Sequence, residues 1–158
     1  MQKLWSFLAC NYILYVPLLS WLAAQICKTI IDLILSGKLD LERMFGAGGM
    51  PSAHSALVCS LTVAIARTVG VSSPEFALAF LVACVVMYDA MGVRRSAGEQ
   101  AKVLNKIIFT WEKSQDAPDE DEDDMFKKDL KESLGHTPLE VLGGALLGIL
   151  VAMLVSLT

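Results

Sequence analysis

Charge is scarce in this chain. Only 19% of its 158 residues are Asp, Glu, Lys or Arg, against 54% apolar residues. Seven acids crowd into "DAPDEDEDD" (Asp116 and Asp119 to Asp124), and without them the formal charge moves from −4 to +3. The acidity therefore belongs to one stretch. That stretch lacks the alternating ligands and turn glycine of a calcium loop. Adjacent acids repel, so a solvated, flexible loop over 113–130 is expected. Cysteine is also sparse: Cys10, Cys27, Cys59 and Cys84 lie in apolar segments with no CxxC pair. This pattern implies no disulfide framework and no zinc site, leaving buried thiols. Polar faces are missing too. "ALVCSLTVAIA", "FALAFLVACVVMY" and "VLGGALLGILVAMLVSL" are apolar all round. A helix in water needs a polar face unless a larger protein buries it, which argues against a soluble four-helix protein.

What is there instead is length and apolarity. Four segments read as membrane-crossing helices, which take about 20 residues each. The first covers 13–36 and ends before Gly37, with Trp5, Tyr12, Tyr15 and Trp21 as an interfacial aromatic belt. The second follows Pro51-Ser52 to about residue 69, with Arg67 near its end placed to snorkel. The third starts at "SSPE", Ser73 as N-cap and Pro74 at the first helical position, and runs to about 88. The fourth starts at "TPLE" and runs to about 157. Between the last two, "RRSAGEQAKVLNKIIFTW" reads as an amphipathic helix. Arg95, Glu99, Lys102 and Lys106 make a charged face beside a small-residue face of Arg94, Gly98, Ala101 and Asn105. The expected fold is a single all-α domain over 1–158: an integral membrane bundle of about four transmembrane helices plus this amphipathic helix. Lys and Arg concentrate in 36–53 and 89–136, so the positive-inside rule puts both connections on the cytoplasmic face of the cell membrane, with both termini outside.

Three polar clusters fall on that face. "GGMPSAHS" opens the second helix. Its start presents backbone N–H groups suited to phosphate, Ser52 can cap it, Gly48 and Gly49 allow a tight turn, and His54 lies in the first turn. "YDAMGVRRSAGEQA" supplies Arg94 and Arg95, whose guanidinium forks suit either phosphate oxygens or lipid headgroups, and Asp89, which can hold one arginine. "LGHTPLEV" supplies His136 and Glu140. Two uses of Glu140 fit equally: orienting His136 four residues away, or closing a capping box with Thr137. Within the first helix, Gln25, Lys28 and Asp32 form a stripe. Lys28 either neutralises Asp32 or reaches the phosphate site. His54 and His136 are the only histidines, both at helix starts on one face. Two histidines, fixed cations and helix N-termini fit phosphoryl transfer.

At these three motifs the sequence resembles the divergent PAP2 family, small membrane proteins related to acid phosphatases and vanadium haloperoxidases. The resemblance covers about residues 11–155. It implies that Pro51-Ser52-Ala53-His54 stands for the superfamily's Pro-Ser-Gly-His. Ser52, Gly49 and nearby N–H groups would then hold phosphate, and His54 would be the general acid. His136 would be the nucleophile that becomes phosphohistidine, with Glu140 in place of its usual aspartate partner. The sequence departs from the superfamily in having no Lys…Arg-Pro stretch before Gly48 and no Ser-Arg pair before His136. Lys28, Arg94 and Arg95 are the candidates to replace them. The implied activity is a lipid-phosphate phosphatase that uses no metal or other cofactor, has membrane lipids but no nucleic acid as partners, and is a candidate homo-oligomer. The rival reading is a non-catalytic protein that binds or moves phospholipids or anions. Gly144-x-x-x-Gly148 gives a close-packing face that serves either the bundle or a dimer.

Overall fold

The computed structural model describes residues 11–37, 49–114, 130 and 135–157, with backbone alone over 111–114. The acidic stretch at 116–124, Trp5, Cys10, Gly48 and the basic residues of 38–48 lie outside the described residues. Five helices follow one another: α1 (Tyr12–Ser36), α2 (Ala53–Thr68), α3 (Pro74–Met91), α4 (Val93–Ser114) and α5 (Pro138–Leu154). Their boundaries follow the sequence signals. Gly37 adopts a left-handed conformation (φ 66°) and its N–H caps Leu33 at the end of α1. Ser73 accepts from the Phe76 N–H, with Pro74 at the first position of α3.

α2 is the hub. It packs on α1, α3 and α5, and α1 and α3 each also touch α5; among the described helices, α1 and α3 do not meet. The central pair is α2 and α5, and glycine sets their spacing. A Cβ added at Gly144 would overlap the Ser52 carbonyl, and one at Gly148 would overlap the Ala56 carbonyl. Steps of four residues on each helix match, so the two run parallel with their N-termini together. The Gly144-x-x-x-Gly148 face is thus spent inside the bundle. The Ser52 N–H donates to the Glu140 carbonyl (3.0 Å) and closes the pair at its N-terminal end.

The core is built from small residues: Ala24, Ala53, Ala56, Ala64, Ala79, Ala83, Ala90, Ala152 and several serines are buried. Large apolar side chains face outward instead, among them Ile34, Leu35, Leu78, Val85, Leu139 and Leu154. Water would drive the reverse distribution. Small interior residues and an apolar exterior suit association in lipid, where close backbone approach replaces the hydrophobic drive. Ser60, Thr62 and Thr68 satisfy their hydroxyls on carbonyls of their own helix (2.8–2.9 Å), as apolar surroundings require.

Two lengths differ from expectation. α1 and the run Pro74–Thr110 are long and apolar enough to cross a membrane, whereas α2 and α5 have 16 and 17 residues. The fourth apolar segment stops at Leu154 because Val155 turns to extended backbone (φ −73°, ψ 123°). Arg67 is the reason for a fixed end here. Rather than snorkelling, it donates to the Ala152 and Val155 carbonyls and to the Tyr12 hydroxyl, over whose ring it also stacks (5.5 Å). Tyr12 in turn donates to the Ala152 carbonyl (3.0 Å). One cluster thereby ties the start of α1 and the ends of α2 and α5.

A larger side chain at position 148 would push α5 off α2. Gly148→Leu is expected to cost about 1–3 kcal/mol or more, seen as a lowered thermal midpoint in detergent. The same bulk added by Ala77→Leu, at an exposed position on α3, leaves the helix contacts untouched and serves as the comparison.

Candidate functional site

The paired N-termini of α2 and α5 gather the polar residues singled out in the sequence. Ser52 is the α2 N-cap, wholly buried. Its Oγ accepts from the Ser55 N–H (3.4 Å) and from the Ser55 hydroxyl (3.0 Å). The Ser52 hydroxyl is therefore committed to the helix start. Its buried partner Ser55 carries no signal in the sequence apart from position. The Met50-Pro51 bond is cis, and Met50 and Pro51 rest on Gly143 of α5. His54, one residue into α2, is exposed.

His136 is buried (7% exposed), and its placement is determined from three sides. Its N–H donates to the Ala90 carbonyl at the end of α3 (3.0 Å). Its Nδ1 lies 2.9 Å from Glu140 Oε2. Just before it, Gly135 adopts φ 95° and lies on the Arg94–Arg95 backbone so closely that a Cβ would overlap it. The glycine is thus required twice, by conformation and by space. This requirement is legible in "LGHTP" as a glycine turn before a capped helix.

The structure resolves the two uses of Glu140: it serves both. The same Oε2 that meets His136 also accepts from the Thr137 N–H (3.1 Å), while Thr137 Oγ1 accepts from the Glu140 N–H (3.4 Å). The capping box holds the carboxylate still. A fixed carboxylate at Nδ1 selects the tautomer with the proton there and leaves the Nε2 lone pair for chemistry. Such a histidine can act as a nucleophile or base.

Cations come from both flanks. Lys28 on α1 is buried, its aliphatic chain laid against Gly49, which has φ 84°. Arg94 on the first turn of α4 pairs with Asp89 on the last turn of α3 (2.6 Å). Loss of solvation acts most on the His54 imidazole, followed by the charges of Arg94, His136 and Lys28. All three clusters therefore converge, from α1, α2, the α3–α4 junction and α5. Arg95 stands apart: its side chain is exposed, and its backbone serves as part of the shelf under Gly135. Asp32 lies one turn beyond Lys28, partly exposed. The small-residue face of α4 is used as well. Gly98 and Ala101 are buried, and Asn105 exchanges two hydrogen bonds with the Leu130 backbone (2.9 and 3.1 Å). Among the described residues, no three His, Cys, Asp or Glu side chains cluster as metal ligands would.

The sequence profile of the divergent PAP2 family matches residues 9–151. The chain belongs to that family. A relative from Bacillus subtilis (strain 168), described as the uncharacterised membrane protein YuiD, is 44% identical over 148 residues, covering 89% of this chain and 93% of its own. No solved structure matches the chain.

Replacing Glu140 with Gln keeps an oxygen for the Thr137 N–H but removes the charge from His136. Glu140→Gln is expected to change stability by about 1 kcal/mol or less. Histidine-selective 15N spectra should show a smaller Nδ1–H population at His136, because a neutral amide oxygen accepts more weakly than a carboxylate. A His136 that carries its proton on Nε2 in the unaltered protein would refute the orienting role.

Proposed function

We propose that this family member is a multi-pass membrane phosphatase acting on lipid phosphates through a phosphohistidine. The observation that carries the reading is the 2.9 Å contact between His136 Nδ1 and a carboxylate fixed by its own capping box, beside an exposed His54 and two cations. Family membership and the relative's description as a membrane protein support the setting, as does the apolar exterior. The Lys/Arg distribution supports a site on the cytoplasmic side.

In the proposed reaction, His136 Nε2 attacks phosphorus and the P–O bond to the lipid alcohol breaks. Protonated His54 gives its proton to the leaving oxygen. A water then loses its proton to neutral His54 and attacks phosphorus. The P–N bond breaks, and phosphate and free His136 result. Lys28, Arg94 and the first N–H groups of α2 offset charge on the equatorial oxygens. The positioned carboxylate keeps Nε2 available throughout. Ser52 contributes by capping α2. The substrate class is a phosphate monoester or diphosphate on a lipid, such as a phosphatidylglycerol-phosphate or a polyprenyl-phosphate.

One observation favours a second reading, in which the same site binds or moves phospholipids or anions without hydrolysis. The Ser52 hydroxyl, whose oxygen accepts from Ser55, is fully buried, so its own proton is withheld from a phosphate, which would have fewer side-chain donors than the superfamily motif supplies.

Purified protein in detergent, with chelator and a panel of lipid phosphates, is expected to release phosphate. His136→Ala should abolish release, and His54→Ala should lower it roughly 10²–10⁴-fold, the usual worth of a general acid. Release that survives in folded His136→Ala would end the phosphohistidine mechanism. Vanadate binding without any release would favour the binding reading.

A further inference from the structure

The α4 helix presents three distinct faces, and two are accounted for. Gly98, Ala101 and Asn105, spaced i, i+3, i+7, face protein: the first two are buried, and Asn105 clasps the Leu130 backbone. Arg95, Lys102 and Lys106 lie on an exposed charged face that holds Glu99 as its acid. The third face is apolar and uncovered. Val103, Leu104 and Ile107 are 59%, 48% and 58% exposed and form one contiguous patch in the second half of the helix. Val93, 65% exposed, is on the same side at the helix start, with the polar Ser96 and Gln100 between. Two exposed side chains, Val103 and Phe109, flank the charged face on either side.

We infer that this patch is seated in the lipid headgroup region of the bilayer that holds α1 and α3. Two observations select lipid over other occupants. The first is continuity. α4 leaves α3 through one non-helical residue, Gly92 (φ −103°, ψ −88°), and α3, away from its buried Ala79, Ala83 and Ala90, is apolar and exposed up to Tyr88 (74%). α4 therefore starts close to where a membrane helix would reach the interface, and its apolar patch lies about 15 Å further along it. The second is charge. An uncovered apolar stripe bordered by Arg95, Lys102 and Lys106 is the pattern of an interfacial helix, with aliphatic chains among acyl chains and basic heads at lipid phosphates.

The consequence reaches the candidate site. Arg94 in the first turn of α4 pairs with Asp89, and the Arg94–Arg95 backbone supports Gly135, next to His136. A lipid-seated α4 fixes the height of His136 relative to the headgroups. α4 is then a depth gauge for a site whose ligand carries its phosphate at that level. The seating of α4 rests on the membrane reading but not on hydrolysis.

The test uses full-length protein with its native cysteines replaced, reconstituted in phosphatidylcholine–phosphatidylglycerol vesicles. Spin labels are placed singly at Lys102→Cys, Leu104→Cys, Lys106→Cys and Ile107→Cys. Labels at 104 and 107 should collide severalfold more with oxygen, which concentrates in lipid, than with an aqueous nickel chelate. Labels at 102 and 106 should show the opposite preference. Equal aqueous access at all four positions would overturn the inference, as would protection of 104 and 107 from both reagents, the result expected if a second copy covers the patch. Because the readout is collision, it tests the seating of α4 whether or not the protein hydrolyses phosphate.

Discussion

The close approach of α2 and α5 is the constraint on which the rest of this protein depends. Two glycines let α5 lie against the carbonyls of Ser52 and Ala56. That contact leaves no room for side chains and fixes the register of the pair. Everything at the candidate site inherits the register. Ser52 and Glu140 become backbone neighbours, and His54 and His136, 82 residues apart in sequence, share one end of the bundle. In lipid the usual reward for burying large side chains is absent, so small residues and backbone proximity must hold helices together. The alanine-rich core follows the same logic on the flanks, where α1 and α3 pack on the central pair.

The outer elements then bring charge to a fixed place. Lys28 arrives from the interior of α1, eight residues before that helix ends, and lies on Gly49. Arg94 arrives from the α3–α4 junction. Neither cation stands in a motif with the histidines, yet both act on His54. The arrangement gives the family's departures a physical reading. Under the proposed function, Lys28 and Arg94 would stand in for the basic residues of the superfamily's own motifs, contributed here by separate helices.

Much of this is legible in the sequence, for identifiable reasons. Helix starts carry strong local chemistry: Ser73-Pro74, Ser52, and Thr137-Pro138 with Glu140 each make a cap where one is expected. The Asp89–Arg94 pair is readable because its partners are five residues apart. What escapes depends on distant contacts. Arg67 reads as a helix-end anchor, but its partners Tyr12, Ala152 and Val155 lie far off in the chain. The dual service of Glu140 is hidden because the two uses compete on paper, whereas one oxygen serves both in space. The length of α5 is overstated by the sequence because apolar residues continue past Leu154, where tertiary contacts end the helix.

The parallel pairing of α2 and α5 also polarises the molecule. Two helices running side by side in the same direction place both positive dipole ends at the candidate site and both negative ends at the opposite pole. Parallel dipoles oppose one another, so the pairing carries an electrostatic cost that the glycine contact must outweigh. At the negative pole the cost is offset internally, because the Arg67 guanidinium sits on the terminal carbonyls of α5. At the positive pole the protein adds further positive charge through Lys28 and Arg94. One end is closed by a cation, whereas the other presents the first N–H groups of α2 beside Lys28, Arg94 and the Asp89 and Glu140 carboxylates, the groups that a phosphate would meet under the proposed function.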